Sequence, residues 1–167
     1  MPDIVKIFTD EGSSGNPGPG GYGVILLYNG HRKELSGGYR KTTNNRMELK
    51  AVIEGLKVLK RQCKVTVYCD SKYIVDSIKK GWIYTWQNKN WKRTLNKIVI
   101  NADLWLQIYE LMNKHEVDFE WVRGHNGNTE NEKCDEIAIK AYKQPNLPLD
   151  TFYESQSDEL LNGTLFS

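Results

Sequence analysis

The N-terminal part of the chain has the pattern of an antiparallel meander. Ile4–Thr9 is a β-branched, apolar stretch that predicts a strand. After a breaker-rich loop over Glu11–Gly21, a second strand is predicted over Tyr22–Tyr28. Asn29-Gly30 is a hairpin signal, and His31–Tyr39 predicts the third strand. We therefore expect the chain to begin with three consecutive antiparallel strands.

Helices and strands alternate in the rest of the sequence. Apolar residues at helical spacing predict a helix that continues to about Lys60, and its N-cap is one of Thr43, Asn44 and Asn45. The next strand is Val65–Cys69, and Ser71 caps the helix after it. A strand, a helix and then a strand imply a crossover connection and parallel pairing. A helix from Asn101, a strand over Val117–Val122 and a helix over Thr129–Tyr142 follow, with Thr129 and Glu132 at capping-box spacing. The order predicts an α/β domain with a mixed sheet of three antiparallel and two parallel strands.

Length and composition indicate one globular domain with a tail. The chain has 167 residues, of which 39% are hydrophobic and 26% charged. We place the domain at residues 1–143 and an acidic C-terminal tail at 144–167, because Pro145 and Pro148 end the regular pattern. No apolar run approaches the roughly 20 residues of a membrane span, and because no basic region followed by an apolar stretch opens the sequence, we expect no signal peptide. The three cysteines lack metal-site spacing, so we expect reduced thiols in a cytoplasmic protein.

The positive charge is concentrated in one segment. The net charge is only +2, but Ser77–Ala102 holds no acidic residue. Within it, a basic protrusion over 81–100 interleaves lysines with Trp82, Trp86 and Trp91. The tryptophans could be the edge of a core, with the lysines solvated. The alternative is a platform that neutralises phosphates and places aromatic rings against sugars or bases.

Four acidic side chains are candidates for one metal site. Asp10 and Asp70 each end an apolar strand, and ligands of open α/β sheets bind at such strand ends. Glu48 lies in the first turn of its helix and can face the sheet, and Asp135 lies in the second turn of the last helix. Each acid alone could simply cap a loop or interact with a helix dipole. Together, their oxygen ligands suit Mg²⁺ or Mn²⁺.

Two loops of the sequence have residue types that are typical of functional sites. His125, in the loop before the last helix, is a candidate proton shuttle beside a metal–carboxylate site, although a loop histidine is usually only solvated. The Gly/Pro stretch that ends at Gly21 is not a phosphate loop, because no Gly-Lys-Ser/Thr follows and the next element is a strand.

Four segments of the sequence together resemble type 1 ribonuclease H. They are Phe8-Thr9-Asp10 with the Gly/Pro stretch to Gly23, Thr42–Leu49, Tyr68–Tyr73, and Trp121–His125 with Asn131–Glu136. The segments stand in the order of that family and cover about residues 3–142. The chain is most similar to the bacterial form, because the basic protrusion is present. The resemblance implies a ribonuclease H-like fold.

The resemblance also implies an activity and a set of site residues. The family hydrolyses the RNA strand of RNA/DNA hybrids and leaves 5′-phosphate and 3′-hydroxyl ends. It implies that Asp10, Glu48, Asp70 and Asp135 hold two Mg²⁺ ions, with Mn²⁺ as a substitute, and that His125 assists proton transfer or product release. The implied hybrid contacts are Asn16, Thr43, Asn44, Asn45, Lys72, Trp82, Trp86, Lys89, Trp91, Lys92 and Asn101. Asparagines at the minor groove are a way to read 2′-hydroxyls.

Two positions depart from the family pattern. The usual Asp-Gly-Ser is replaced by Asp10-Glu11-Gly12-Ser13. If Glu11 points inward, it weakens substrate binding or adds a ligand. If it follows strand alternation, it faces away from Asp10 and does little, which is the outcome we expect. Lys72 replaces a common glutamine and should be tolerated near phosphates.

Two other functions stay open at this point. One is a DNA nuclease such as a junction resolvase or integrase core, which the Thr-Asn-Asn-Arg-Met-Glu segment and the protrusion disfavour. The other is a module that binds hybrids without cleaving them because Glu11 has spoiled the chemistry. We expect a monomer that acts on an RNA/DNA hybrid, away from membranes and without an obligate protein partner.

Overall fold

A five-stranded mixed sheet forms the centre of the protein. The computed structural model describes residues 4–95, 97–123 and 128–155. The strands are β1 (Ile4–Ser13), β2 (Gly18–Tyr28), β3 (His31–Thr42), β4 (Lys64–Cys69), β5 (Lys92–Thr94), β6 (Lys97–Ile98) and β7 (Glu116–Trp121). The helices are α1 (Asn44–Lys57), α2 (Lys72–Lys79), α3 (Trp82–Asn88), α4 (Ala102–Lys114) and α5 (Thr129–Tyr142). The sheet order is β3-β2-β1-β4-β7, and β5 and β6 form a separate hairpin.

The pairing confirms the predicted mixed sheet. The strands β1, β2 and β3 pair antiparallel, as the meander pattern predicted. The strand β4 pairs parallel with β1 on one side and with β7 on the other. Parallel β1 and β4 end at the same edge of the sheet. The parallel pairing of β1 with β4 ends at Phe8 and Tyr68, so Asp10 and Asp70, each two residues further along the chain, come to one place.

The predicted loop over Glu11–Gly21 is wrong in extent. The strand β1 continues to Ser13 and β2 begins at Gly18, so that Asp10 pairs with Gly23 and lies inside the ladder. Gly21, one of the glycines that suggested a loop, serves packing instead. A Cβ on Gly21 would come within 2.5 Å of the carbonyl oxygen of Ala138, so the missing side chain lets α5 lie directly on β2.

The core occupies both faces of the sheet. The larger cluster joins β1, β2 and β4 to α1 and α4, and Trp105 and Leu56 are fully buried within it. A smaller cluster of Phe8, Ile25 and Cys134 lies beneath α5. Each large side chain buried in this way stabilises the fold by roughly 1.5–3 kcal/mol. The cysteines are free thiols, as predicted, and no helix among the described residues is long and apolar enough to cross a membrane.

The helix caps resolve one open choice and correct another. Thr43 is the N-cap of α1, because its side chain accepts a hydrogen bond from the Arg46 backbone N–H at 3.2 Å. Ser71 caps α2 as predicted. The capping box at Thr129 is wrong: Asn128 is the N-cap of α5 and accepts from the Asn131 N–H at 3.1 Å. The Asn128 side-chain carbonyl therefore satisfies the backbone N–H of Asn131, whereas a Thr129 cap would satisfy that of Glu132.

The first part of the segment after the domain packs back onto it. Residues 144–155 are described, and Asp150 among them is 5% exposed. Its carboxylate accepts hydrogen bonds from the Arg46 guanidinium at 2.7 and 2.9 Å and from the Thr42 hydroxyl at 2.7 Å. The same guanidinium also pairs with Asp103 at 2.8 Å. Arg46 therefore ties the C-terminal segment to α1 and to the start of α4.

Candidate active site

Three of the four predicted carboxylates converge at the edge of the sheet where β1 and β4 end. Asp10 lies on β1 and Asp70 follows β4 directly. Glu48 reaches the same edge from α1, where it occupies the second turn and not the predicted first turn, because the helix begins at Asn44. Its carboxylate, the Cys69 sulfur and the Asp70 carboxylate each offer a ligand atom within 4.8 Å of the other two.

The Glu48 carboxylate is buried with one oxygen satisfied and the other not. Glu48 is only 2% exposed to solvent. The Thr9 hydroxyl and the Cys69 thiol both donate to Oε1, each at 3.2 Å. Among the described residues, Oε2 has no hydrogen-bond partner. A buried carboxylate oxygen left in this state is costly, and a cation bound at this edge would remove the cost. The donor set therefore fits a hard divalent ion.

The carboxylates raise one another's pKa. Burial and the neighbouring Asp70 charge raise the pKa of Asp10 to about 8, although the Glu11 backbone N–H, at 2.8 Å, acts in the opposite direction. Burial and the charges of Asp70 and Asp10 place the pKa of Glu48 well above its usual value. A cation bound among these negative charges would favour their ionised forms, which is the effect that a metal ion has on such a cluster.

Asp135, the fourth predicted carboxylate, lies near this cluster. It is half-buried on α5, and its negative charge contributes to the raised pKa of Asp10. Neither of the two groups of candidate ligands includes it. The structure therefore brings Asp135 to the neighbourhood of Asp10, on the α5 side of the sheet. The fifth predicted residue of the site, His125, lies outside the described residues.

Glu11, expected to face away from Asp10, nevertheless lies close to two of the carboxylates. Glu11 does alternate with Asp10 along β1, and it pairs with Tyr22 in the ladder. However, the face to which it turns is the one that carries Thr9 and Glu48. One carboxylate oxygen from each of Asp10, Glu11 and Glu48 lies within 4.8 Å of the others. Alternation gave the correct face, but the position of Glu48 over that face decides what Glu11 meets.

An aromatic residue missed at the sequence level holds Asp70 in place. The Trp121 indole N–H donates to the Asp70 carbonyl oxygen at 3.1 Å. The ring also lies under two cations, with the Lys72 ammonium 5.5 Å and the Arg123 guanidinium 5.7 Å from its centroid. Trp121 was visible in the fourth motif, but only the tertiary structure shows that its indole contacts Asp70. Lys72, predicted to face phosphates, is exposed on this side.

The predicted substrate residues of the first two motifs surround one cavity. Asn16, Thr43, Asn45 and Asn101 line a cavity of about 410 Å³. Asn44 lies beside it, where its backbone N–H donates to the Asn16 side-chain oxygen at 3.1 Å. The structure thus gathers side chains from β1–β2, α1 and α4 that are far apart in sequence.

Asn101 has a fixed orientation at this cavity. Its backbone is left-handed, with φ of 62°, at the N-terminus of α4. The Arg46 guanidinium donates to its side-chain oxygen at 3.2 Å. With the oxygen assigned to Arg46 by this network, the amide N–H groups are directed elsewhere and suit an anionic acceptor.

The basic protrusion divides into exposed and packed aromatic rings. Trp82 is 38% exposed, with the Lys80 ammonium 5.6 Å from its ring centroid. By contrast, Trp86 packs on Trp105 at 5.3 Å between ring centroids, and Trp91 packs on Tyr109 at 6.1 Å. Lys89 and Lys92 are exposed. Two of the tryptophans therefore pack against the core, whereas Trp82 and the lysines face outward.

Comparison with known proteins agrees with this geometry. The profile of the RNase H family matches residues 2–143. Ribonuclease H of Rippkaea orientalis is 54% identical over 158 residues, which are 95% of this chain and 97% of the relative. Ribonuclease H of Desulforamulus reducens is 55% identical over 146 residues, 87% of this chain and 92% of the relative. The crystal structure of LC9-RNase H1, a type 1 RNase H with the type 2 active-site motif, superposes with a TM-score of 0.75 at 34% identity, and covers 85% of this chain and 73% of that chain.

The sheet, its helices and the buried carboxylates define the class of metal-dependent nucleases with a ribonuclease H-like fold. Within that class, the chain belongs to the RNase H family and is a bacterial-type member of its type 1 branch. It is therefore an enzyme, a nuclease of the hydrolase class, and the resemblance drawn from its four motifs is confirmed.

Proposed function

We propose that the protein is an endonuclease that hydrolyses the RNA strand of RNA/DNA hybrids and leaves 5′-phosphate and 3′-hydroxyl ends. The observation that carries this proposal is the convergence of Asp10, Glu48 and Asp70 at one sheet edge, with the Glu48 Oε2 buried and lacking a partner among the described residues. Site and family membership point in the same direction, since a carboxylate cluster of this kind suits metal-assisted phosphodiester hydrolysis.

We propose that Asp10, Glu48, Asp70 and Asp135 hold two Mg²⁺ ions when substrate is bound, with Mn²⁺ as a substitute. When bound, such ions activate a water molecule and stabilise the attacking and leaving oxygens of a phosphodiester. The residues of the chain prepare the site for this charge. Thr9 and Cys69 fix one oxygen of Glu48, and Trp121 fixes the backbone at Asp70. His125 is proposed to assist proton transfer.

The hybrid would lie across the cavity and the protrusion. We propose that Asn16, Asn44 and Asn45 contact the minor groove, where 2′-hydroxyls distinguish the RNA strand. Thr43 and the amide of Asn101 would hold a phosphate of the DNA strand. The protrusion would grip that strand further along, with Trp82 in direct contact, Lys89 and Lys92 neutralising phosphates, and Trp86 and Trp91 supporting its shape. Lys72, at the start of α2, would lie near phosphates. We expect the enzyme to act as a cytoplasmic monomer.

The test is a cleavage assay with 5′-labelled RNA annealed to DNA. It is run with Mg²⁺, Mn²⁺ or chelator, beside RNA duplex and DNA duplex controls. We expect metal-dependent cleavage of the hybrid RNA alone, and loss of that cleavage in Asp10→Asn. Cleavage of the DNA duplex would support a DNA nuclease instead. Hybrid binding without turnover in either metal would support a non-catalytic module.

A further inference from the structure

The position of Glu11 gives the site one more acidic side chain than the four predicted ligands. Glu11 lies on β1 between Asp10 and Gly12, where the resemblance would place glycine. It is half-buried, and the register pairs it with Tyr22 of β2, so its backbone lies in regular strand structure. Its side chain therefore leaves the strand at a fixed place, on the same face as Thr9.

That face is where Glu48 lies. Thr9, two residues earlier on the same face, already donates to Glu48 Oε1. The Glu11 carboxylate comes next along the strand, and it offers an oxygen within 4.8 Å of ligand atoms of both Asp10 and Glu48. Three carboxylates at such distances repel one another unless a cation lies among them.

A second observation indicates a ligand at this position. Glu48 is 2% exposed, and its Oε2 has no hydrogen-bond partner among the residues the structure describes. Thr9 and Cys69 both occupy Oε1, which leaves Oε2 as the oxygen of Glu48 available to an ion. An acidic cluster alone is common at surfaces, whereas a buried, unsatisfied carboxylate oxygen in contact with such a cluster is not.

We infer that Glu11 is an additional ligand of the divalent cation at this site, and that it gives the metal centre a fifth carboxylate. The inference rests on the proposed function, because it concerns the same metal centre. Hard cations bind more tightly as the number of anionic oxygen ligands increases. Glu11 therefore increases the affinity of the free protein for Mg²⁺ and Mn²⁺, before any nucleic acid contributes its phosphate oxygens.

The test measures metal binding by the nucleic-acid-free protein. Mn²⁺ is titrated into the wild type, Glu11→Gln and Glu11→Gly, with calorimetry for affinity and electron paramagnetic resonance for the bound ion. We expect both variants to bind Mn²⁺ roughly tenfold more weakly than the wild type. The control is Glu34→Gln, which removes the same charge from β3, away from the site, and should leave the affinity unchanged.

The outcomes separate this inference from the function itself. Unchanged or tighter Mn²⁺ binding in Glu11→Gln, with the wild-type melting curve retained, would overturn the role of Glu11 as a ligand. If the wild type cleaves hybrid RNA while Glu11→Gln binds Mn²⁺ as the wild type does, only the fifth ligand is refuted. If the wild type cleaves no hybrid, the proposed function fails, and the Mn²⁺ titration still decides whether Glu11 binds metal.

A second inference comes from the C-terminal segment, independently of the metal centre. Tyr153 is half-buried and lines the same 410 Å³ cavity as Thr43, Asn45 and Asn101. It comes from beyond residue 143, where the family profile ends. The segment is anchored on either side of the ring, by Asp150 on Arg46 at 2.7 Å and by Glu154 on Arg40 at 3.0 Å.

We also infer that Tyr153 contacts the nucleic acid, as a wall of the site proposed for a DNA-strand phosphate. A phenol offers both an O–H donor for a phosphate oxygen and a ring face for the adjoining sugar. Its neighbours Thr43 and Asn101 are donors of the same kind. This inference likewise rests on the proposed function, since it concerns how the hybrid is held.

Steady-state cleavage of a hybrid by Tyr153→Ala and Tyr153→Phe tests this contact. We expect Tyr153→Ala to raise KM about fivefold, and Tyr153→Phe about twofold, with kcat nearly unchanged, because the cavity is separate from the carboxylates. Tyr28→Phe, on β2, is the control and should leave both constants unchanged. Wild-type KM in Tyr153→Ala would overturn the inference. A wild type that cleaves DNA duplex and not the hybrid would refute the proposed function, and the same KM comparison on that duplex would still test the contact.

Discussion

At the scale of single residues, the site depends on which oxygen of each carboxylate is already satisfied. Residue types and strand ends were enough to propose Asp10, Glu48 and Asp70 as neighbours. The sequence did not show that Thr9 and Cys69 both donate to Glu48 Oε1, because the three residues come from separate elements. These two contacts fix the orientation of the Glu48 carboxylate, so that Oε2 is the oxygen available to a metal ion.

The raised pKa of Asp10 predicts how stability depends on pH in the metal-free protein. An ordinary aspartate titrates at 3.8, whereas burial and Asp70 raise the pKa of Asp10 to about 8. Between these values the native state binds more protons at this residue than the unfolded state, so the free energy of unfolding falls as the pH rises. Below pH 3.8 the penalty is absent, and above about pH 8 it is complete.

We therefore expect Asp10→Asn to unfold at a higher temperature than the wild type near neutral pH in chelator. The difference should shrink as the pH falls toward 4, because both side chains are then neutral. The same variant should lose at least about a hundredfold in cleavage rate, since metal charge stabilisation contributes several kcal/mol. Thermal melts from pH 4 to 9 with EDTA measure the first effect. A variant melting below the wild type at neutral pH would contradict the account of carboxylate repulsion.

Glu11 shows how far sequence reasoning extends at this scale. Strand alternation correctly placed its side chain on the face opposite that of Asp10. What that face carries depends on how α1 crosses the sheet, and hence on where Glu48 lies. Alternation along a strand predicts the face of the sheet to which a side chain points, but not which residues from other elements lie on that face.

At the scale of elements, the sequence predicted the order of strands and helices better than their ends. Apolar periodicity identified each strand of the main sheet and the helices α1, α2, α4 and α5. The error over Glu11–Gly21 arose because glycine was read as a loop signal. In the structure, Gly21 and Gly23 lie in β2 beneath α5, where a Cβ would approach backbone oxygens to 2.5 and 2.3 Å. A run of glycines in the sequence is therefore compatible both with a loop and with a strand on which a helix packs closely.

The N-terminus of α5 offers a direct test of the corrected cap. Asn128 accepts a hydrogen bond from the Asn131 N–H at 3.1 Å, and it caps the helix that carries Asp135. Asn128→Ala should lower the free energy of unfolding by about 1 kcal/mol, because one helix donor loses its partner. Thr129→Ala, at the exposed next position, should change it by no more than about 0.5 kcal/mol. Urea denaturation of both variants measures the difference. Equal losses, or a larger loss in Thr129→Ala, would restore the capping box.

At the scale of the whole molecule, one buried guanidinium connects the C-terminal segment to the substrate side. Arg46 is 3% exposed and bridges Asp103 and Asp150, while its Nη1 also donates to Asn101. Nothing in the sequence predicted this arrangement, because Pro145 and the acidic composition beyond it suggested a separate tail. Ion pairs between residues about a hundred positions apart have no local signature.

The C-terminal segment should therefore contribute to stability. Asp150→Ala leaves the buried guanidinium with only part of its counter-charge, and such changes cost about 3–5 kcal/mol. For a chain of this size, that loss lowers Tm by roughly 6–20 °C. Glu154→Ala removes a pair whose arginine is 57% exposed and should cost no more than about 1 kcal/mol. Differential scanning calorimetry of the two variants distinguishes them. A similar small change in both would mean that the segment packs without supporting the fold.

The charge distribution over the whole molecule predicts how hybrid binding responds to salt. Lys89 and Lys92 are exposed on the protrusion, and each phosphate that a lysine neutralises releases a counterion from the duplex. Replacing either lysine with alanine should reduce the slope of log affinity against log salt by about 1, with a matching loss of affinity at low salt. Lys64→Ala is the matched control, because Lys64 is exposed at the start of β4, whereas Asp70 follows the end of that strand. Binding of a hybrid to the Asp10→Asn protein, measured from 50 to 300 mM salt, gives the slopes. Lys64→Ala could also change the slope as much as Lys89→Ala and Lys92→Ala do. That result would mean that the positive charge attracts the hybrid at long range and that the protrusion makes no specific contacts with the strand.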